Sequence, residues 1–201
     1  MSKRIFDILF SLGATLFFFP LGVIIGFLIM MTSPGPIFYS CQRVGKDGQP
    51  IRCRKFRTMH FNADLTLEQI LDKSPILRQE WETYRKLKND PRITSIGKFL
   101  RKTSLDELPQ LFDVFLGQLS IVGPRPITQK EVNKYYKEKA EKILSMKPGL
   151  TGLWQTSGRN KLIFHQRVLL EESYIEKSSF VFDLKIIFKT IYQMLFLQNG
   201  Y

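Results

Sequence analysis

Residues 8–31 form an uninterrupted run without a charged side chain, ILFSLGATLFFFPLGVIIGFLIMM. About 20 predominantly apolar residues suffice to cross the hydrocarbon core of a bilayer, so this run is long enough for a membrane helix. It is too long for a typical cleavable signal peptide, and no small-residue cleavage site follows it. The run therefore predicts a membrane segment, to which the rest of the fold has to be attached.

Pro20 and the flanking charges favour a hairpin over a single span. Pro20 lies near the middle of the run, where it removes a backbone hydrogen bond and kinks a helix. Lys3 and Arg4 precede the run and Arg43 follows it. Because basic flanks stay on the cytoplasmic side, both ends are expected there. We predict a re-entrant, helix-break-helix segment over residues 1–33, with a straight transmembrane anchor as the alternative.

The chain is strongly basic. Its 201 residues include 30 Lys and Arg against 18 Asp and Glu, for a net charge of +12 at pH 7. This excess indicates a polyanionic partner, which could be nucleic acid, an anionic membrane surface or a phosphorylated substrate. The length fits one folded domain over residues 34–201 after the membrane segment. Cys41 and Cys53 match no zinc pattern, and we interpret them as free thiols.

The domain is expected to be mainly α-helical with one small β-hairpin. Two short strand-like runs flank the turn signal Asp47-Gly48, which is typical of a hairpin. Residues 62–90 have helical periodicity and are divided by Pro75. Residues 180–198 form a mostly apolar helix with a narrow polar stripe. We expect that helix to lie in the membrane interface, or to be a buried core helix.

The second hairpin strand carries four basic residues: Arg52, Arg54, Lys55 and Arg57. A basic strand with Phe56 as a stacking ring is compatible with nucleic-acid binding. A solvated or membrane-facing edge and a phosphate site are the two alternatives. The strand by itself does not decide among them.

The most informative polar stretch is SLDELPQLFDVFLGQLSIVGPRP, residues 104–126. Asp106 and Glu107 stand at a predicted helix start. They belong either to a capping box with Ser104 as the N-cap or to a helix that begins nearer Leu108. The positive end of a helix favours ionised carboxylates and bound anions. Both versions therefore place the acidic pair where phosphate chemistry is favoured.

Two kinds of phosphate chemistry are open to this pair. Asp106 beside a second carboxylate could hold Mg²⁺, which takes oxygen ligands and substrate phosphates. An Asp can also attack phosphorus and form an aspartyl-phosphate. Arg101 and Arg125 are the nearest cations in the sequence. Arg125 stands between two prolines, which restrict its backbone and suit bidentate phosphate binding.

The chain closely resembles the monotopic phosphoglycosyl transferases, the bacterial sugar transferase family. The resemblance runs from Lys3 to about Ile191 and rests on five segments in the same order: KRIFDILFS, KFRTM, SLDELPQLFDVFLGQLSIVGPRP, KPGLTGLWQTSGRN and DLKIIFKTI. It implies transfer of hexose-1-phosphate from a UDP-sugar to polyprenyl (undecaprenyl) phosphate, with release of UMP. This step begins O-antigen, capsule, exopolysaccharide or glycoprotein assembly at the cytoplasmic face of the bacterial inner membrane.

The resemblance also implies roles for individual residues. Asp106 would attack the β-phosphorus of the UDP-sugar and carry the phospho-sugar covalently, with Mg²⁺ beside it. Glu107 would orient the site or handle a proton. Four basic residues match the family's phosphate- and nucleotide-binding positions: Lys55, Arg101, Arg125 and Arg159.

The expected partners are therefore a UDP-sugar, a polyprenyl phosphate and membrane lipid, but not nucleic acid. The sequence leaves a homodimer open. The longer middle helix and the C-terminal end resemble members that use galactose or glucose. The family breaks its membrane helix at a Ser-Pro pair, whereas Phe19 precedes Pro20 here. The rival hypothesis is a membrane-anchored basic protein that binds nucleic acid or anionic lipid without catalysis.

Two further acidic residues are expected to have structural roles. Asp7 is expected to cap the first helix or to pair with Lys3 or Arg4. Asp113 follows Asp106 by two helical turns and is expected to be solvent-exposed or to form a structural ion pair.

Overall fold

A computed structural model describes residues 3–84, 87–158 and 164–197. The first half of the chain contains these elements: α1 Lys3–Thr32, β1 Phe38–Val44, β2 Pro50–Phe56, α2 Ala63–Lys73, α3 Pro75–Tyr84, α4 Ser95–Thr103 and α5 Gln110–Phe115. The second half contains these: β3 Ser120–Val122, α6 Gln129–Glu131, α7 Ala140–Leu144, β4 Gly149–Thr151, α8 Leu153–Thr156, α9 Phe164–Lys177 and α10 Phe180–Tyr192. The predicted class, mainly α-helical with a small antiparallel hairpin, is confirmed.

Helix α1 is long and apolar enough to cross a membrane. It runs without interruption through Pro20, so the structure does not show the predicted break or the re-entrant path. A proline removes a single intrahelical hydrogen bond. Packing on both sides of Pro20 keeps the helix together. Phe10 packs against the main core before the proline, and Ile25 packs beside Phe56 after it.

The opposite face of α1 is apolar and exposed. Its exposed side chains are Ile5, Leu9, Leu12, Leu16, Phe17, Phe19, Val23, Ile24, Phe27, Leu28, Met30 and Met31. A contiguous apolar face of this size is typical of a surface that contacts lipid or another protein. The helix therefore has one stripe for the domain and one for an apolar environment.

Asp7 joins α1 to the centre of the domain. It is 3% exposed and accepts hydrogen bonds from Ser120 Oγ at 2.8 Å and from the Ile121 backbone N–H at 3.0 Å. The interpretation of Asp7 as a cap or as a partner of Lys3 or Arg4 was therefore wrong. A buried carboxylate requires donors, and strand β3 supplies them from more than a hundred residues away.

The two basic residues of the first turn of α1 also bind the domain. Lys3 forms an ion pair with Asp183, in the first turn of α10. Arg4 donates to the carbonyl oxygens of Val114 and Phe115, each at 2.7 Å, at the C-terminal end of α5. Cations suit this position because the last carbonyls of a helix carry partial negative charge.

Strands β1 and β2 form the predicted antiparallel hairpin, with Cys41 opposite Cys53. Both cysteines are free, as predicted. Asp47 and Gly48 both have positive φ, at 54° and 78°, which explains the strength of this turn signal. A second sheet was not predicted. It consists of three-residue strands β3 and β4, which pair in parallel.

The main core lies where α1, the hairpin, α5, β3 and the last two helices meet. Its buried residues are Cys53, Leu111, Val114, Leu119, Ile121, Val122, Tyr174, Ile186 and Ile187. A smaller cluster joins Phe56 of β2 to Leu100 of α4 and to the second half of α1. These two clusters hold β2 between α4 and α5, and the acidic pair lies in the connection between those helices.

Candidate active site

The connection between α4 and α5 presents the acidic pair. Ser104 ends α4 with a left-handed φ of 59°, and a 3-10 turn, Leu105–Glu107, follows at once. Helix α5 begins only at Gln110, after Pro109. The later helix start was therefore the correct alternative. The capping box was wrong, because the Ser104 side chain makes no capping bond and the Glu107 N–H reaches the Ser104 carbonyl instead.

Lys55 faces both carboxylates from strand β2. Its Nζ lies 2.5 Å from Glu107 Oε1 and 3.6 Å from Asp106 Oδ2. Asp106 is only 8% exposed. The structure thus brings together three residues that the sequence separates by about fifty positions. The arrangement gives one buried carboxylate, one partly exposed carboxylate and a cation between them.

Burial and charge act in opposite directions on these groups. Burial raises the pKa of Asp106 above its ordinary value, and the Lys55 ammonium opposes that rise. Burial lowers the pKa of Lys55, but the carboxylates of Glu107 and Asp106 outweigh burial and raise it overall. Lys55 therefore stays charged at neutral pH. Asp106 is a stronger base than an exposed aspartate, which favours nucleophilic attack once it is ionised.

Arg101 lies on the last turn of α4 and is held by Thr58. Its Nε donates to Thr58 Oγ1 at 2.8 Å. The backbone of α4 at Gly97 lies close to the backbone of Thr58. Only glycine allows this contact, because a Cβ on Gly97 would lie 2.0 Å from the Thr58 carbonyl oxygen. The Thr94 N–H also donates to that oxygen, at 3.0 Å. The start of α4 is thus fixed against the end of β2, and Arg101 follows one turn later.

Arg125 is held by contacts with Glu171 and Trp154. Its backbone N–H donates to Glu171 Oε1 at 3.2 Å, and its guanidinium carbon lies 5.1 Å from the centre of the Trp154 ring. Glu171 is 2% exposed and also accepts from Tyr136 Oη at 2.5 Å and from Arg167 Nε at 3.3 Å. No local sequence pattern marks Glu171 as the partner of Arg125, which lies 46 positions away in the chain.

Two other basic residues, Arg54 in β2 and Arg57 just after it, serve the fold. Arg54 forms an ion pair with Asp113, which is fully buried and also accepts the Arg54 N–H at 2.8 Å. Asp113 is thus the structural pair that the sequence allowed. Arg57 donates to the carbonyls of Ser33 and Pro34, at 2.5 and 2.8 Å, and so joins the end of α1 to β2.

A cavity of about 1260 Å³ connects these residues. Five of the predicted site residues line it: Lys55, Arg101, Asp106, Glu107 and Arg125. Apolar side chains from α1 and α10 line it as well: Phe10, Ala14, Phe18, Ile187 and Ile191. Arg159 lies outside the described residues. The cavity thus offers anion-binding groups and an apolar wall that continues into the membrane-type helix.

The number of carboxylates at the acidic pair fits a Mg²⁺ ion that is bound together with substrate phosphates. In the described ranges no group of three or more His, Cys, Asp or Glu side chains could hold a metal by itself. Mg²⁺, however, is commonly bound by one or two carboxylates together with substrate phosphates. Asp106 and Glu107 open onto a cavity with room for such phosphates, so these residues fit a metal that arrives with its substrate.

Comparison with known proteins places the chain among bacterial sugar transferases. The family model described as bacterial sugar transferase matches residues 1–197. The exopolysaccharide production protein ExoY of Sinorhizobium fredii is 45% identical over 191 residues, which cover 95% of this chain and 84% of that protein.

Two longer relatives carry more specific names. The undecaprenyl-phosphate galactose phosphotransferase of Salmonella typhimurium is 45% identical over 94% of this chain and 39% of its own length. The UDP-glucose:undecaprenyl-phosphate glucose-1-phosphate transferase of Escherichia coli is 35% identical over 95% and 39%. This chain therefore spans about two fifths of the length of these two relatives. From the whole-length match and these identities, the chain belongs to the bacterial sugar transferase family and is a transferase.

Proposed function

We propose that this protein transfers hexose-1-phosphate from a UDP-sugar to a polyprenyl phosphate and releases UMP, through a covalent intermediate on Asp106. One observation carries the proposal. A buried aspartate, a neighbouring glutamate and several basic side chains, among them Lys55, Arg101 and Arg125, line one cavity that also has apolar side chains from α1 and α10. A diphosphate donor and a lipid phosphate acceptor have the charge and polarity that this lining would recognise.

In the first step, an Asp106 carboxylate oxygen attacks the β-phosphorus of the UDP-sugar. A phosphorus–oxygen bond forms to Asp106, the bond to the bridging oxygen breaks, and UMP leaves with the bond's electron pair. Lys55, Arg101 and Arg125 neutralise the phosphoryl oxygens as charge shifts to the leaving group. Because Lys55 contacts both Asp106 and Glu107, it would hold the two carboxylates in place when the substrate binds.

In the second step, an oxygen of the polyprenyl phosphate attacks the phosphorus of the adduct. The Asp106 carboxylate leaves, and the product is a polyprenyl-diphosphate sugar. The apolar wall from α1 and α10 would receive the first units of the polyprenyl chain. Splitting the transfer in this way lets one set of cations serve both phosphate substrates in turn.

Asp106, with Glu107 beside it, would hold Mg²⁺ when the diphosphate is bound. The ion would supply additional positive charge to the phosphate oxygens. The protein contributes the burial and orientation of Asp106 and the three surrounding cations. Arg159 remains a proposed contact for the nucleotide or sugar.

We further propose that the chain acts at the cytoplasmic face of the bacterial inner membrane, with α1 inserted from that side. The N-terminal part of α1 is bound to α5, β3 and α10, and its second half packs on β2 and α4. Both ends of the helix are thus attached to the domain that carries the site, as a monotopic placement requires.

The names of the relatives support galactose or glucose as the sugar and exopolysaccharide synthesis as the pathway.

The test is UMP release from a panel of UDP-sugars with Mg²⁺ and undecaprenyl phosphate. Wild type should release UMP with one or two sugars, and Asp106→Asn should lose release by at least a thousandfold, about 4 kcal/mol at 1.36 kcal/mol per factor of ten. Asp72→Asn is the matched control, because Asp72 is exposed on α2 and pairs only with Arg78 in the described structure. Full activity of Asp106→Asn would refute the proposal.

A further inference from the structure

Trp154, in α8, lines the cavity together with Arg125, but the proposed reaction steps do not use it. It is 8% exposed, and its indole N–H has no acceptor within the part of the chain that the structure describes. A buried N–H without an acceptor costs free energy, and such groups are rare in folded proteins. The indole N–H therefore indicates either a bound water molecule or a substrate atom that accepts its hydrogen bond.

Backbone contacts hold Trp154 and Arg125 in a fixed relation. The Gly123 N–H, two residues before Arg125, donates to the carbonyl of Thr151 at 3.0 Å. A Cβ on Gly152 would lie 2.2 Å from the Gly123 carbonyl oxygen, so only glycine allows α8 to begin this close to the turn that carries Arg125. The indole and the guanidinium are thus positioned before a substrate binds.

Two guanidinium groups make the surroundings of the indole positive. The guanidinium carbons of Arg125 and Arg167 lie 5.1 and 4.6 Å from the centre of the Trp154 ring. The charge of Arg167 is balanced by Glu171 and Glu131, whose oxygens lie 3.3 and 3.9 Å from its nitrogens. Arg125 contacts Glu171 through its backbone N–H, and its guanidinium is available to a substrate anion. An anionic acceptor would therefore be bound more strongly at the indole N–H than a neutral water molecule.

We propose that the Trp154 indole N–H donates a hydrogen bond to a phosphate oxygen of the UDP-sugar, beside Arg125. Trp154 is then a substrate-binding residue, and its ring also supports the Arg125 guanidinium by a cation–π contact. This proposal rests on the proposed function, because it needs a diphosphate in the cavity. It gives the buried N–H an acceptor that the described residues do not supply.

The test measures binding to the full chain, in a neutral detergent with Mg²⁺, by calorimetry. The probes are UDP, inorganic pyrophosphate and uridine. Trp154→Phe keeps an aromatic ring and removes the N–H. Its affinities for UDP and pyrophosphate should both fall by roughly tenfold to a hundredfold, as expected for a hydrogen bond to a charged group, and its affinity for uridine should not change.

Trp81→Phe is the matched control. Trp81 is partly exposed, and its ring also lies near an arginine, with the Arg92 guanidinium carbon 5.4 Å from the ring centre. This variant should bind UDP with the affinity of wild type.

Thermal unfolding without ligand separates loss of the N–H from loss of fold. Trp154→Phe should unfold close to the temperature of wild type, because removal of an N–H without an acceptor offsets the loss of ring volume. If Trp154→Phe does not fold, Trp154 is replaced by benzothienylalanine, which has the shape of tryptophan with sulfur in place of the N–H. That protein should show the same loss of affinity.

Undiminished binding of UDP by either folded variant would overturn the proposal and leave the proposed function standing. Weaker binding of UDP with unchanged binding of pyrophosphate would place the contact on the nucleoside, and the phosphate assignment would be wrong. Failure of wild type to bind both UDP and pyrophosphate would contradict the diphosphate donor itself, and the proposed function with it.

Discussion

At the scale of single residues, the contact between Lys55 and Asp106 affects the pH above which Asp106 is ionised and can act as a nucleophile. Burial raises the pKa of Asp106 and Lys55 lowers it. Removing the ammonium in Lys55→Gln should therefore raise this pKa further. The acid limb of kcat/KM against pH should move to higher pH, and activity at pH 7 should fall.

Lys73→Gln removes the same charge from an exposed position on α2 and should leave the pH profile unchanged. An acid limb that stays in place in Lys55→Gln would show that Asp106 is not the group whose ionisation limits the reaction. A uniform fall in rate at all pH values would instead assign Lys55 to substrate binding alone.

Glu171 is a positioning residue for Arg125. It accepts the Arg125 backbone N–H and two further donors while buried. Glu171→Gln should weaken this network and raise KM for the UDP-sugar more than it lowers kcat. Because a small displacement of a substrate-binding group can cost on the order of a hundredfold in rate, kcat/KM should fall by about tenfold or more.

Tyr136→Phe is the control, because it removes one donor from Glu171 and leaves the bond to Arg125 in place. Its KM should stay closer to that of wild type. Equal changes in KM for Tyr136→Phe and Glu171→Gln would indicate that the network serves general stability rather than the position of Arg125.

The predictability of individual residues depends on how far apart their partners are. Asp106 and Glu107 could be found because they are adjacent and lie within a recognisable stretch. Glu171 could not, since its bond to Arg125 spans 46 positions and no local pattern marks it. Asp7 was misassigned for the same reason: the nearby Lys3 and Arg4 were plausible partners, but its donors come from β3.

At the scale of elements, Asp113 fixes strand β2 to helix α5. Strand β1 covers one edge of β2, and side chains of the α5 region cover the other. Asp113 accepts the Arg54 N–H, and Gln118 Oε1 accepts the Arg52 N–H at 3.2 Å. This contact sets the distance between Lys55 on β2 and the acidic pair just before α5.

Asp113→Ala should lower the free energy of unfolding by about 1–3 kcal/mol, because it leaves a buried N–H and a guanidinium without their acceptor. Thermal unfolding of wild type and Asp113→Ala in the same detergent measures the difference in the free energy of unfolding. Asp72→Ala removes an exposed pair with Arg78 and should cost less than about 1 kcal/mol. Similar losses for both variants would contradict the role assigned to Asp113.

The hairpin was predictable and the second sheet was not. The Asp47-Gly48 turn is a local signal that lies between two short strand-like runs. Strands β3 and β4 have only three residues each and pair in parallel across 29 positions. Their formation depends on the tertiary contacts of Asp7 and the main core, which no short window of sequence contains.

At the scale of the whole molecule, the account requires both ends of α1 on the side of the membrane that carries the site. A single cysteine introduced at Ser2, in a chain without its native cysteines, should be labelled from the cytoplasmic side only. A cysteine at the exposed Asp47 marks the side of the domain and should give the same pattern. Labelling of the two positions from opposite sides would establish a transmembrane anchor and exclude the monotopic placement.

A first helix long and apolar enough to cross a membrane could be predicted from the sequence, because residues 8–31 carry no charge. The continuous path of α1 through Pro20 could not be predicted from the sequence. Pro20 suggested an interruption, whereas the helix continues and packs on the domain on both sides of it. That outcome depends on contacts with Phe56 and with the core around Ile121, which are set by the fold as a whole.

The most direct test of the central claim is a single-turnover measurement without acceptor. Wild type should release about one UMP per protein from its UDP-sugar and gain the mass of one hexose phosphate, as expected of a covalent intermediate. Asp106→Asn should show neither. If wild type released no UMP until polyprenyl phosphate was added, and then turned over normally, transfer would be direct and the covalent role of Asp106 would be contradicted.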